Sequence, residues 1–218
     1  ELRTPLNAVI GFAQVLEGEV FGKMPDPRYV DYAKDIRVSG DHLLELINDI
    51  LDLSCIQAGK RQLYPEDVDL AEETDWVCRM IAPIAETHGT TVAVDRPGDI
   101  ARIVWDRRAL RQILVNLATN AAKYGGTTCE IRFRRAGPCD LTISVSDDGP
   151  GIDPGVQATL FRPFARGEAS MSSETEGTGL GLAVCRGLVD LGGGSIALDS
   201  APGQGTRIDI TLRGVLCD

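Results

Sequence analysis

Residues 141–151 read Leu-Thr-Ile-Ser-Val-Ser-Asp-Asp-Gly-Pro-Gly, an alternating apolar segment that runs into a glycine-rich turn. Alternation of this kind is typical of a β-strand with one buried face. Asp147 ends the strand, and Gly149 and Gly151 follow it, so a carboxylate faces backbone that carries no side chains. Such a carboxylate can accept a hydrogen bond from an exocyclic amine, which a purine supplies. Taken alone, the stretch favours the plainer interpretation, an acidic turn after a strand.

Outward from this strand, the chain from about residue 66 alternates helices with short strands. The turn Ala136-Gly137-Pro138 joins two alternating segments as a hairpin. This order of elements predicts an α+β fold, an α/β sandwich in which helices cover one face of a mostly antiparallel sheet. The predicted helices cover 70–88, 107–124 and 180–191, and the predicted strands cover 90–95, 102–105, 128–134, 140–147, 195–199 and 206–212.

Residues 1–63 have a purely helical period. Apolar residues between Leu2 and Leu16 recur every three or four positions, on one stripe of a first helix. Glycines and prolines break it over 18–27, and Asp26 is placed to cap a second helix over about 28–58. The apolar residues of the second helix approach a seven-residue repeat, the period of helices that supercoil against partners.

Two domains are therefore predicted: a helical hairpin over 1–63 and an α+β domain over 66–218, with a linker near 62–68. The hairpin either packs as a monomer on the rest of the chain or pairs with a second copy. Two helices alone have little to bury against, so the pattern favours a homodimer that forms a four-helix bundle through residues 1–63.

Composition limits the classes of function. The chain has 218 residues, 43% of them hydrophobic and 25% charged, which is typical of a globular protein. A net charge of -10 without a Lys/Arg-rich run argues against nucleic-acid binding. No apolar stretch approaches the roughly 20 residues of a bilayer crossing. Because the chain starts at Glu1, we expect a piece of a longer protein, with any membrane anchor in its missing parts. Six scattered cysteines favour reduced thiols in the cytoplasm.

A polar row interrupts the apolar helix over 107–124. Asn116, Asn120, Lys123 and Tyr124 are spaced to share one side of that helix. Asparagine is disfavoured inside helices, so two of them beside a lysine indicate a polar role. Carboxamide oxygens can hold a hydrated Mg²⁺, and lysine can contact a phosphate. A solvated polar face is the alternative, and it fits poorly because the other positions are mostly apolar.

The stretch Gly177-Thr178-Gly179-Leu180-Gly181-Leu182 leads into the last predicted helix. Glycine-rich backbone at a helix N-terminus offers N–H groups to phosphate oxygens. A lone glycine-rich turn is weak support, and this one lacks the lysine of a Walker loop. The third glycine cluster, Gly203-Gln204-Gly205-Thr206, by itself has the character of a hairpin turn.

Together and in this order, these elements resemble the ATP-binding domain of sensor histidine kinases, in the superfamily shared with DNA gyrase and heat-shock chaperone ATPases. Residues 160–166 resemble the phenylalanine box of that family, which often has Glu where Arg162 stands. Residues 1–7, Glu-Leu-Arg-Thr-Pro-Leu-Asn, resemble the phospho-acceptor box without its first residue, the histidine. Residues 39–54 resemble the dimerisation helix, in a style similar to alphaproteobacterial cell-cycle kinases.

The resemblance implies ATP and Mg²⁺ as ligands. Asp147 would bind the adenine amine, Tyr124 would pack on the base, and Asn120 would coordinate Mg²⁺ with help from Asn116. Residues 167–176 would form a flexible lid. The other implied nucleotide-binding residues are Lys123 and Arg166 at the phosphates, Gly177, Gly179, Gly181 and Leu182 at the lid, and Gly149, Gly151 and Thr206 near the base.

The implied reaction moves the ATP γ-phosphoryl group to a histidine and then to an aspartate of a response regulator receiver domain. Glu1 would act as general base, and Thr4 would orient water for dephosphorylating that partner. His42 and His88 are poor acceptors, so the chain as written is not expected to phosphorylate itself. The alternative is a non-catalytic pseudokinase, a phosphotransfer scaffold that acts through its helical dimer.

Overall fold

The computed structural model describes residues 2–98, 100–165 and 178–216. The chain divides into two compact units, Glu1–Asp52 and Leu53–Asp218. The helices are α1 (Arg3–Glu17), α2 (Arg28–Gln57), α3 (Leu70–His88), α4 (Arg107–Tyr124), α5 (Pro154–Gln157) and α6 (Gly181–Leu191). The strands are β1 (Glu66–Asp69), β2 (Thr91–Asp95), β3 (Arg102–Trp105), β4 (Thr128–Arg135), β5 (Leu141–Asp147), β6 (Ser195–Ser200) and β7 (Thr206–Leu212).

The first unit is a helical hairpin of α1 and most of α2. The predicted cap is present, since Oδ1 of Asp26 accepts the backbone N–H of Arg28 at 2.9 Å. The two helices approach each other closely at Gly40, where an added Cβ would lie 2.7 Å from Cγ1 of Ile10. This close approach lets Ile10 and Ala13 of α1 be buried.

A second apolar stripe of the hairpin is exposed. We call it the apolar seam, and the spacing of its residues by three, four and seven is that of a helix covered by other helices. Its residues are Leu2, Val9, Phe12 and Leu16 on α1 and Tyr29, Tyr32, Ile36, Leu43 and Ile50 on α2.

The second unit is built on a five-stranded sheet in the order β2-β4-β5-β7-β6. Neighbouring strands are antiparallel except β2 and β4, which are parallel. Helices α3, α4 and α6 pack on this sheet, and alternate residues of β4 such as Ile131 and Phe133 are buried beneath them. The structure confirms the predicted α+β fold with a mostly antiparallel sheet.

A buried ion cluster joins α3 to α4. Glu73 is fully buried and accepts hydrogen bonds from Arg107 at 3.0 Å and from Arg111. The Arg111 guanidinium also lies 4.4 Å from the centre of the Trp76 ring. A buried carboxylate needs such partners, so this cluster constrains how α4, which carries the asparagine row, packs on α3.

Two parts of the second unit differ from the prediction. The segment 62–68, predicted as a linker, contains the start of β1, which pairs antiparallel with β3 as a separate two-stranded sheet. Residues 154–157, which lie outside the predicted helices and strands, form the short helix α5, capped by Asp153. No helix within the described ranges is both long enough and apolar enough to cross a bilayer.

Candidate nucleotide-binding site

Asp147 is the last residue of β5 and is half-buried. Its Oδ1 accepts the backbone N–H groups of Gly149 at 3.0 Å and of Thr206 at 3.1 Å. None of the residues that the structure describes donates to Oδ2, so this oxygen can accept a hydrogen bond from a ligand. Burial raises the pKa of Asp147, and the two backbone hydrogen bonds oppose that rise.

Glycines allow two segments of backbone to close on Asp147, and a third glycine packs against the turn beside it. An added Cβ at Gly125, which follows α4, would lie 2.4 Å from Cβ of Asp147. One at Gly205, in the β6–β7 turn, would lie 2.0 Å from the carbonyl oxygen of Asp147. Gly151 packs closely on Ala201, since an added Cβ at Gly151 would lie 1.9 Å from the carbonyl oxygen of Ala201. Larger residues would therefore displace the carboxylate or its surroundings.

The polar row of α4 lies along this site. Asn116, Asn120 and Lys123 are half-buried, and Tyr124, at the end of the helix, is 37% exposed. Nδ2 of Asn116 donates to the carbonyl oxygen of Gly181 at 3.3 Å. The row therefore starts beside the glycine cluster of α6 and ends beside Asp147, and its two ends lie about 12 Å apart by the rise of a helix.

The N-terminus of α6 has the features of an anion site. Leu180 at the N-cap makes no side-chain hydrogen bond to the first turn, although the Thr178 hydroxyl accepts the N–H of Leu180 at 3.1 Å. N–H groups within the first turn of α6 can therefore bind a ligand. Gly179 adopts φ +66°, and an added Cβ would lie 3.0 Å from the carbonyl oxygen of Ala165. The backbone of Phe164 lies beside Gly179 and also has a positive φ, of 61°, and the Phe164 side chain is 65% exposed. Phosphate oxygens can reach backbone N–H groups at such an end.

The protein groups at this site suit a Mg²⁺ ion whose other ligands are water molecules and phosphate oxygens. Among the described residues there is no group of three His, Cys, Asp or Glu side chains that could hold a metal. Since Nδ2 of Asn116 is used by Gly181, the carboxamide oxygen is the atom left for a cation. Mg²⁺ usually keeps several waters and takes phosphate oxygens, so two carboxamides beside a phosphate site fit it.

The other predicted site residues are distributed as follows. Glu1, Arg166, Gly177 and the predicted lid 167–176 lie outside the described residues. Leu182 is half-buried in the first turn of α6, and Gly149 is buried against the end of α4, where its Cβ would lie 2.7 Å from the carbonyl oxygen of Tyr124. Thr4 is exposed in the first turn of α1, in the hairpin unit.

Three residues of the site were not predicted from the sequence: Gly125, Asp148 and Gly205. Gly205 was assigned to a simple hairpin turn, and it forms that turn while also packing on Asp147. Gly125 could have been found from its position directly after the asparagine row. Nothing in the sequence marks Asp148, whose hydrogen bonds are made to residues about twenty positions earlier.

A separate cavity of about 290 Å³ opens near the same end of the sheet. It is lined mainly by β6, β7 and the turn between them, together with Arg132 of β4 and Ser146 of β5. No residue of α4 or α6 lines it. It therefore differs from the predicted nucleotide site, although Asp147 and Thr206 contribute to both.

Family models match most of the chain. The model described as histidine kinase-, DNA gyrase B- and HSP90-like ATPase matches residues 105–215. The model of the His kinase A phospho-acceptor domain matches residues 1–59. The first match contains α4, Asp147, the α6 glycines and Thr206, and the second contains both helices of the hairpin.

Individual relatives agree with these matches. The non-motile and phage-resistance protein of Caulobacter vibrioides is 42% identical over 97% of this chain and 26% of its own length. The cell-division control histidine kinase PdhS of Brucella suis is 33% identical over 97% of this chain and 21% of its own length. The chain thus spans about a quarter of the length of the first relative and about a fifth of the length of the second.

Solved structures show the same fold. The crystal structure of full-length ShkA in complex with AMPPNP superposes with a TM-score of 0.82 at 30% identity, over 100% of this chain and 45% of that one. The acceptor-domain match, the ATPase match and these relatives agree with one another. The chain therefore belongs to the sensor histidine kinases, as a catalytic core of the alphaproteobacterial cell-cycle type.

Proposed function

We propose that this core transfers the γ-phosphoryl group of ATP to a histidine and then to an aspartate of a response regulator receiver domain. The hairpin over 1–63 would supply dimerisation and phosphotransfer, and the domain over 66–218 would bind ATP, on the cytoplasmic side where ATP is available. The observation that carries the proposal is the half-buried Asp147 carboxylate, whose Oδ2 faces no protein donor among the described residues. It stands at one end of the polar row on α4.

Asp147 and its glycines would select the purine. Oδ2 would accept a hydrogen bond from the adenine amine, while Oδ1 is held by Gly149 and Thr206. A hydrogen bond to a charged acceptor contributes about 1.5–3 kcal/mol, more than one to a neutral acceptor. Tyr124, at the end of α4, would pack on the base. The glycines keep the wall beside Asp147 free of side chains, so a flat ring can approach.

The rest of the polar row, Asn116, Asn120 and Lys123, would hold the triphosphate. Asn120, assisted by Asn116, would coordinate Mg²⁺, and the ion would neutralise charge on the phosphate oxygens when bound. Lys123 and Arg166 would contact the phosphates, together with the N–H groups at the start of α6. Such a site works by positioning and by charge neutralisation, which supply most of the catalysis in phosphoryl transfer.

The acceptor side of the reaction belongs to the start of α1. The bond from the γ-phosphorus to the bridging oxygen would break, a phosphorus–nitrogen bond would form, and ADP would leave. Glu1 would take the proton from the imidazole. Thr4, exposed in the first turn of α1, would orient the water that removes the phosphoryl group from the response regulator.

Radiolabel transfer tests the kinase proposal. The protein extended by the residue that precedes Glu1 is incubated with γ-labelled ATP and Mg²⁺, and acid-labile, base-stable label on the protein is expected because phosphohistidine hydrolyses in acid. Label should then pass to a receiver domain. If ATP binds and no label is transferred in any buffer, the non-catalytic scaffold is the better description.

Asn120→Ala is expected to remove the Mg²⁺ dependence of ATP affinity, because it deletes the carboxamide oxygen assigned to the ion. Calorimetry with and without EDTA measures this: EDTA should weaken ATP binding to the unsubstituted protein and leave the Asn120→Ala affinity nearly unchanged. Gln112→Ala, earlier on the same helix, is the matched control and should keep the EDTA effect. Tight binding by the unsubstituted protein in EDTA would refute the metal role.

The apolar seam is expected to bury itself against a second copy of the chain. Sedimentation at micromolar concentration should give two copies for the unsubstituted protein and one copy for Phe12→Asp, because a charge would be buried at a position that is 72% exposed in the single chain. Gln14→Asp, an exposed position on the same helix, should remain a dimer. A monomeric unsubstituted protein would contradict the four-helix bundle.

A further inference from the structure

Asp148 joins the end of β5 to the turn that follows α4. Its Oδ1 accepts the backbone N–H groups of Thr127 at 2.8 Å and of Thr128 at 2.7 Å. Its Oδ2 accepts the Thr127 hydroxyl at 2.6 Å. Mainly through the bonds from the Thr127 hydroxyl and the Thr128 N–H, the pKa of Asp148 falls to about 2, so the carboxylate is charged at every working pH.

The turn that Asp148 holds is the one that closes on Asp147. Gly125 and Gly126 form it, and an added Cβ at Gly126 would lie 3.0 Å from Oδ1 of Asp148. From the other side, the buried hydroxyl of Thr90 is within 3.1 Å of the carbonyl oxygens of both Ala122 and Gly126. Thr90 therefore holds the turn on one side, and Asp148, which directly follows Asp147, holds it on the other.

This arrangement matters because the nucleotide residues are divided between two elements. Asp147 belongs to β5, while Asn120, Lys123 and Tyr124 belong to α4. Their relative placement depends on the backbone between α4 and β4, and three hydrogen bonds that Asp148 accepts restrain that backbone. A carboxylate is suited to this task, since charged acceptors form the stronger hydrogen bonds.

We propose that Asp148 is a positioning residue, which sets the distance between Asp147 and the polar row of α4 and so determines the affinity for ATP. This inference rests on the proposed function of the same site. Asp148 would not touch the nucleotide and would act through the turn. It should therefore change ground-state binding of ATP, and thus KM, while leaving kcat nearly unchanged.

Three variants of the full chain test the proposal. Asp148→Ala removes all three hydrogen bonds, and we expect the Kd for ATP to rise about tenfold. In the protein extended to include the acceptor histidine, the KM for ATP should rise by a similar factor with kcat within twofold. Asp148→Asn keeps an acceptor at Oδ1 for both N–H groups, and the Thr127 hydroxyl can turn to accept from its amide, so the loss should be about threefold or less. Asp140→Ala removes a similar bond, to the N–H of Gly214 at 2.9 Å, and should bind as the unsubstituted chain does.

Amide hydrogen exchange separates positioning from simple loss of fold. In the protein without nucleotide, Asp148→Ala should speed exchange at Thr127 and Thr128 and leave the protection of β5 and β7 unchanged. If Asp148→Ala binds ATP like the unsubstituted chain, or if Asp148→Asn loses as much affinity as Asp148→Ala, the positioning role is wrong while the proposed function stands. If the unsubstituted chain does not bind ATP, both are wrong.

Discussion

Asp147→Asn is expected to weaken ATP binding about ten- to a hundred-fold, or about 1.5–3 kcal/mol. The variant keeps an oxygen for the N–H groups of Gly149 and Thr206, so the local fold should be preserved. In place of Oδ2 it presents an amide NH₂, which would face the adenine amine donor to donor. Calorimetric titration with ATP and Mg²⁺ measures the loss.

Asp140→Asn is the matched control for that change. Asp140 lies just before β5, at the opposite end of the strand, and also accepts one backbone N–H through Oδ1. Asp140→Asn also replaces one carboxylate oxygen by an amide nitrogen, and ATP affinity should not change. Unaltered affinity in Asp147→Asn would remove Asp147 from the site.

The pH dependence gives an independent check on Asp147. Because burial raises its pKa, the carboxylate gains its proton at a higher pH than an ordinary aspartate does. At each pH, the ATP affinity of the unsubstituted protein is divided by that of Asp147→Asn, which removes the effect of the titration of ATP itself. This ratio should be constant at neutral and alkaline pH and should fall as the pH drops through the raised pKa. A constant ratio throughout the range in which both proteins stay folded would contradict an ionised acceptor.

Gly205→Ala is expected to abolish tight ATP binding, with a loss of about a hundredfold or more. The added Cβ would lie 2.0 Å from the carbonyl oxygen of Asp147 and 3.2 Å from Cα of Asp148, which are backbone atoms and cannot rotate away. Moving the β6–β7 turn would also break the bond from the Thr206 N–H to Asp147. Overpacking of this kind costs about 1–3 kcal/mol in addition to the strain of a left-handed alanine.

Gly203→Ala isolates the close contact from the backbone strain. Gly203 lies in the same turn with φ +76°, similar to the +73° of Gly205, but an added Cβ there would have no atom within 4 Å. Both variants share the penalty of a left-handed alanine, and only Gly205→Ala pushes on Asp147. ATP titration and thermal unfolding of the two proteins should therefore differ. Equal affinities would show that the approach of Gly205 to Asp147 has no role in binding.

The elements of the fold could be predicted almost completely because their signals are local. The seven-residue repeat of α2, the cap at Asp26 and the alternation in β5 each depend on neighbours within a few residues. The segment 62–68 was misassigned as a linker because β1 has only four residues and its partner β3 lies about 35 positions later. Nothing within the segment itself indicates that pairing.

The candidate site could be predicted only in part. Asn116, Asn120 and Lys123 stand out because asparagines are unusual in an apolar helix, and the structure places Asn116 beside Gly181. The hydrogen bonds of Asp148 to Thr127 and Thr128 were not predicted, because the residues belong to different elements. A glycine cluster in the sequence does not show whether its residues form only a turn or also line a binding site.

The sequence by itself determined the longer helices and strands, though not β1 or α5, as well as the family resemblance and the set of polar and glycine residues available for chemistry. Only the tertiary structure decided that Gly125 and Gly205 close on Asp147 and that Thr206 donates to its carboxylate from 59 positions away. The physical reason is that periodicity reports which face of an element is buried. The strand order β4-β5-β7, together with the close packing that the absence of a Cβ allows, sets which backbone segments come into contact.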